Sequence, residues 1–168
     1  MSYRETYEDS LRAARWTVKA AKNIGHRPRV ALLGKTSYEY IVAMFGILGG
    51  NGVAIPLDTQ LTKDDLISNI TKADTDVIVY DWSFRSEITY IMDKCPGIKK
   101  FICLQRVKGA YDIDDLMNDA AGDAELPEID PNDCALIIFT SGTTGSAKGV
   151  MLSHANELDN AFAADEPN

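Results

Sequence analysis

Histidine and cysteine are scarce in this chain, with two of the first and three of the second among 168 residues. Cys95, Cys103 and Cys134 are odd in number, and no two of them stand in the C-x-x-C spacing of zinc or dithiol sites. Each lies in or beside an apolar segment, so the expectation is buried free thiols in a reducing compartment. No apolar run approaches the ~20 residues a membrane-spanning helix needs. The start, Met1-Ser2-Tyr3-Arg4-Glu5, lacks the apolar core of a secretory signal, which gives a cytoplasmic location as the expectation. Positive charge is also short. Lys and Arg number 17 against 25 Asp and Glu, a net charge of −8, which argues against a nucleic-acid partner. It does not argue against ATP, because nucleotide sites are built locally from backbone amides and single lysines.

The shortage of cations is sharpest between Gly109 and Ala147, where there is no lysine or arginine at all. Asp112, Asp114, Asp115, Asp119 and Asp123 and then Glu125, Glu128, Asp130 and Asp133 make this stretch acidic. A solvated helix and a connector explain it without a metal or a basic partner. Pro127 and Pro131 suit a connector.

The rest of the chain alternates helical and strand patterns. Tyr7, Leu11, Ala14, Val18 and Ala21 recur at spacings of four and three, one face of a helix that Gly25 ends and Pro28 blocks. Val30–Leu33 reads as a buried strand. Ser37 is a candidate N-cap for a helix with an apolar face of Tyr40, Ile41, Met44, Phe45, Ile47 and Leu48. Strands follow at Val53–Ile55, Val77–Tyr80, Lys100–Leu104 and Ala135–Phe139. Between them lie a helix capped by Thr62, with Asp64 and Asp65 in its first turn, a helix over Ser83–Lys94, and a short helix around Ile113, Leu116 and Met117. A last helix starts at Ala155. Short apolar strands alternating with helices predict an α/β fold, a mostly parallel sheet with helices on both faces. No internal repeat is visible. Trp16 and Trp82 read as packing or surface aromatics.

The strand Ala135–Phe139 feeds the segment Thr140-Ser141-Gly142-Thr143-Thr144-Gly145-Ser146-Ala147-Lys148-Gly149. Glycines there let backbone approach an anion closely, and successive N–H groups in such a turn can form an anion-binding concavity. The hydroxyls of Ser141, Thr143 and Thr144 add donors, and Lys148 adds a mobile positive charge. This is not a Walker A loop, which needs Gly-Lys followed by Ser or Thr. The order here is Lys148-Gly149, so a P-loop kinase or GTPase is disfavoured.

Running on through Val150-Met151-Leu152-Ser153-His154, the segment resembles the signature loop of the adenylate-forming (AMP-binding) superfamily: acyl-CoA synthetases, luciferases and peptide-synthetase adenylation domains. The family usually has proline before the lysine, where this chain has Ala147. Upstream, Leu48-Gly49-Gly50-Asn51-Gly52-Val53-Ala54-Ile55-Pro56-Leu57-Asp58 resembles the family's helix-to-strand passage. Arg29 to Tyr40 resembles its first strand and following helix, and Tyr3 to Gly25 its opening helix. The variant around the signature loop, with Lys35–Tyr40 and Ile55–Asp58, looks most like long-chain fatty acyl-CoA synthetases.

The resemblance implies an N-terminal subdomain of such an enzyme. It divides into βα units over 1–108, an acidic connector over 109–133 and a signature strand-loop-helix over 134–168. It implies that Ser141, Gly142, Thr143, Thr144, Gly145 and Lys148 surround the β- and γ-phosphates of ATP, with Thr140 near Mg²⁺. It also implies a reaction: activation of a carboxylic acid as acyl-AMP, then transfer to CoA. The elements the family needs further on, including its catalytic lysine, would follow residue 168. A front fragment, inactive alone and prone to self-association, is therefore the expectation. An amino-acid adenylation domain and a non-catalytic nucleotide-binding or interaction module stay open as alternatives. His154 reads as structural and His26 as a solvated residue of the loop before Pro28, and neither Asp58 nor Glu39 has a visible acid/base partner.

Overall fold

In the strand Arg29–Leu33 (β1), Val30 and Leu32 face one side, Ala31 and Leu33 the other, and all four are fully buried. A strand with no solvated face belongs in the middle of a sheet covered on both sides. The computed structural model, which describes residues 2–119, 124–140 and 147–165, places it there. Six strands run in the order β4-β3-β1-β2-β5-β6. They are β1, Val53–Pro56 (β2), Val77–Tyr80 (β3), Lys100–Cys103 (β4), Cys134–Thr140 (β5) and Lys148–Ser153 (β6). The first five are parallel, and β6 returns antiparallel against β5.

The helices are Tyr3–Ile24 (α1), Tyr38–Gly49 (α2), Lys63–Lys72 (α3), Arg85–Lys94 (α4), Ile113–Asp119 (α5) and His154–Asp165 (α6). On one face, Ala13 and Trp16 of α1, Val42 and Ile47 of α2 and Leu116 of α5 pack on Val30, Leu32, Val77 and Ile102. On the other, Leu66 and Ile70 of α3 and Ile88 and Ile91 of α4 pack on Ala31, Leu33, Ile78 and Cys103. The expected parallel α/β sheet with helices on both faces is what forms.

Local chemistry sets the element ends. Ser2 caps α1 in a reciprocal capping box with Glu5, and Gly25 closes it at φ 88°, a left-handed conformation that glycine adopts without strain. Ser37 and Thr62 cap α2 and α3 through their hydroxyls, as their positions suggest. Asp81 caps a 3-10 turn at Trp82–Phe84 that leads into α4.

Two features differ from the sequence pattern, the buried side of α1 and the strand β6. The buried side of α1 is Ser10, Ala13, Ala14, Trp16 and Thr17, rotated from the expected stripe, and Tyr7 stands exposed. The cause is close contact with α2: a Cβ on Gly46 would lie 2.2 Å from Cβ of Ala13, so only small residues fit the crossing. The acidic stretch carries the expected short helix, α5, whose Ile113 and Leu116 are buried in the core while its carboxylates face out. Finally, Lys148–Ser153 is a strand, where the sequence suggested a continuing loop. Of the thiols, only Cys103 is buried; Cys95 and Cys134 are half-buried, and all three are free.

Candidate functional site

In a sheet of this order the chain reverses direction between β1 and β3, and open α/β sheets commonly bind ligands outside the carboxyl ends of strands at such a point. Here that corner is occupied by the protein's own side chains. The Asp81 carboxylate accepts from Ser83 N, Ser83 Oγ and Gln105 Nε2, and Gln105 Oε1 accepts from Trp82 N. Burial works against the Asp81 charge, but these bonds and the nearby Lys35 outweigh it and hold the carboxyl below its usual range. These bonds brace the corner.

The anion-binding candidate lies at the other edge. Strands β5 and β6 form a hairpin in which Phe139 pairs with Gly149 and Thr140 with Lys148. Thr140 and Lys148 are thus direct neighbours across the two strands, both exposed, at the end from which residues 141–147 arise. Of the other expected phosphate-facing residues, Ser141, Gly142, Thr143, Thr144 and Gly145 lie outside the described residues. The geometry therefore brings together the first and last members of the expected set.

The base of the hairpin is fixed by a polar cluster. Arg27 donates through Nε to the Asn51 carbonyl at 2.9 Å and through Nη2 to the Cys134 carbonyl at 2.6 Å. Its Nη1 lies 3.5 Å from an Asp133 oxygen, and Asn51 Nδ2 donates to the other at 3.2 Å. His154, at the turn from β6 into α6, donates its backbone N–H to the Asp133 carbonyl. Burial first, then the Arg27 charge, hold the imidazole below its ordinary pKa, against the pull of Asp133. Its Nε2 is buried without a partner among the described residues. These facts give His154 a structural place. His26 is half-exposed, with Nε2 3.5 Å from the Asp76 carboxylate.

A cavity of about 760 Å³ separates the hairpin face of Ile137, Phe139, Gly149 and Met151 from the last turn of α3. Its cations are engaged: Arg29 bonds Asp74 at 2.9 Å, Arg27 holds the cluster just described, and Lys72 Nζ donates to the Ala147 carbonyl at 3.1 Å. Neither Arg27 nor Lys72 carried any sequence signal. Their partners lie 107 and 75 residues further along the chain, and no local spacing reports such contacts.

The family described as "AMP-binding enzyme" matches residues 1–167. The chain belongs to the AMP-binding enzyme family. Its relatives include a long-chain-fatty-acid–CoA ligase of Xenopus laevis, 29% identical over 98% of this chain and 24% of that protein. Tyrocidine synthase 2 of Brevibacillus parabrevis is also 29% identical, over 93% of this chain and 4% of that protein. Among solved structures, a red-emitting luciferase from Phrixothrix hirtus superposes with a TM-score of 0.86 at 20% identity, over 99% of this chain and 42% of that one, a likeness of fold. The chain therefore spans a minor part of the relatives it matches. Its curated relatives thus include a CoA ligase and a peptide synthetase alike. Among the described residues no helix is long and apolar enough to cross a membrane.

Proposed function

We propose that this chain is the triphosphate-holding front part of an ATP-dependent acid–thiol ligase. In that reaction a carboxylate attacks the α-phosphorus of ATP, pyrophosphate leaves, and the acyl-AMP formed passes its acyl group to CoA. The developing negative charge is the main barrier, and pre-placed donors and cations lower it. Lys148 offers its ammonium to the β- and γ-phosphates, together with Ser141, Gly142, Thr143, Thr144 and Gly145. Thr140 holds Mg²⁺. The working division is βα units over 1–108, an acidic connector over 109–133 and the signature unit over 134–168.

The observation that carries this reading is the hairpin register, which sets Thr140 directly opposite Lys148 at the two ends of a Gly/Ser/Thr segment. The test is titration calorimetry with Mg²⁺ and ATP on the wild-type chain and Lys148→Ala. Binding by the first and a loss of about tenfold in the second is expected, a charge-assisted contact contributing about 1.5 kcal/mol. Equal heats would overturn it.

A fatty acid is the proposed substrate, supported by the long-chain-fatty-acid–CoA ligase relative and by the Lys35–Tyr40 and Ile55–Asp58 segments. An amino acid is the second reading, favoured by the equal identity to tyrocidine synthase 2. Pyrophosphate release by the complete polypeptide, assayed with panels of fatty and amino acids, separates them. The 168-residue chain alone is proposed to be inactive, and turnover by it in the same assay would contradict that. A cytoplasmic location and self-association through exposed apolar faces complete the proposal.

A further inference from the structure

The hairpin that carries Thr140 and Lys148 forms one edge of the sheet and joins it through β5 against β2. Strand β5 pairs with β2 at one register position, Ala54 with Leu136, and the β5–β6 register itself shifts between Cys134 and Leu136. Below that point the Arg27 cluster holds the hairpin base. Above it, Ile137 and Phe139 of β5 and Gly149 and Met151 of β6 border the cavity beside α3. Lys72, in the last turn of α3, spans this gap and donates to the Ala147 carbonyl. A cation in the last turn also suits the negative end of the helix dipole, so the ammonium is held from behind as well.

The contacted atom matters. The Ala147 carbonyl and the Lys148 N–H belong to one rigid planar peptide, trans to each other. Fixing the direction of that carbonyl fixes the direction of the Lys148 amide and the root of its side chain. We propose that Lys72 is a positioning residue for Lys148. It holds the peptide plane from which Lys148 addresses the triphosphate, and so couples the α3 unit to the nucleotide site. The proposal rests on the reading of Lys148 as a phosphate ligand.

Two variants test it. Lys72→Met keeps the aliphatic stem and removes the donors, while Lys72→Arg keeps a donor. Amide hydrogen exchange is measured at Lys148, Gly149 and Val150 in the ligand-free chain, and Mg²⁺–ATP affinity is measured by calorimetry on the same proteins. Loss of the bond to the Ala147 carbonyl predicts exchange about fivefold faster in Lys72→Met and affinity about fivefold weaker, with both restored in Lys72→Arg. Unchanged exchange in Lys72→Met overturns the tether. Faster exchange with unchanged affinity overturns the positioning role. If wild type binds no nucleotide while exchange still depends on Lys72, the phosphate-site reading fails and the tether stands.

Discussion

Arg27 donates through Nη2 to the carbonyl of Cys134 at 2.6 Å, joining the turn before β1 to the first residue of β5 across 107 residues of chain. The same guanidinium serves Asn51 and Asp133. A planar fork with several donors can hold three acceptors in fixed directions, which an ammonium on a flexible stem does poorly. Arg27→Met should destabilise the chain by about 2 kcal/mol, since the Asn51 and Cys134 carbonyls and the Asp133 carboxylate lose a charged partner. Arg27→Lys should recover less than half of that. Urea unfolding with an unchanged slope reads the difference directly. A loss below about 0.5 kcal/mol in Arg27→Met would mean that water replaces the guanidinium without penalty.

The crossing of α1 on α2 makes a second prediction. A Cβ on Gly46 would meet Cβ of Ala13 at 2.2 Å and its carbonyl carbon at 2.9 Å, and backbone does not give way as a flexible side-chain tip does. Gly46→Ala gains about 1 kcal/mol of helix propensity, but overpacking of this kind costs about 1–3 kcal/mol. A net loss is expected. Gly97, where an added Cβ meets nothing within 4 Å, serves as control, and Gly97→Ala should leave the thermal midpoint within a degree or two. A Gly46→Ala protein as stable as wild type would show that the two helices slide apart freely.

The same crossing shows what the sequence could and could not tell. The central strands announced themselves because they are buried on both faces, so an apolar run needs no period to be read. Ser37, Thr62 and Gly25 announced helix ends because capping is local chemistry. The buried side of α1 was misread because Tyr7, Leu11 and Val18 weigh more on an apolar count than Ser10, Ala13 and Thr17. The contact with Gly46 selects for small size, and size enters only when the partner helix is known. Strand β6 escaped for the opposite reason. It is an edge strand, with Lys148 to Met151 exposed, so no alternation of polar and apolar residues marks it. Of the candidate site, the sequence offered the order of residues from Thr140 to Lys148, and the hairpin register pairs the two ends of that order. The supports from Arg27 and Lys72 were not, being contacts between units far apart in sequence.

His154 makes a pH prediction. Burial and Arg27 depress its folded-state pKa, while in the unfolded chain it titrates near the ordinary value of about 6.5. Below that value the unfolded chain takes up a proton that the folded state resists, so stability should fall as pH drops through about 6.5 and level off below the folded pKa. Arg27 and Asp133 are the charges that act on the ring, the first opposing protonation and the second favouring it. His154→Gln should flatten the decline between pH 7 and pH 5 relative to wild type, with His26 and the carboxylates common to both proteins. Parallel stability curves for the two would show that the ring is protonated as easily folded as unfolded.

Exposed apolar surface on the β6–α6 side leads to the last prediction. In α6, Leu158 and Phe162 stand four residues apart on one side of the helix, 55% and 70% exposed, and Met151 of β6 is 67% exposed. Around the corner, Tyr3, Tyr7, Leu11, Phe45, Leu48 and Ile129 line an apolar groove of about 470 Å³ that reaches His154 at the start of α6. Single exposed apolar residues are ordinary, but continuous faces favour association. The net charge of −8 opposes it through repulsion, so salt should strengthen any association by screening. Light scattering on the 168-residue chain should give a mass that rises with concentration and with salt. A Leu158→Glu/Phe162→Glu double variant should stay monomeric with an unchanged unfolding midpoint, because neither side chain belongs to either core cluster. A wild-type chain that remains monomeric in high salt at high concentration would show that these faces do not find each other.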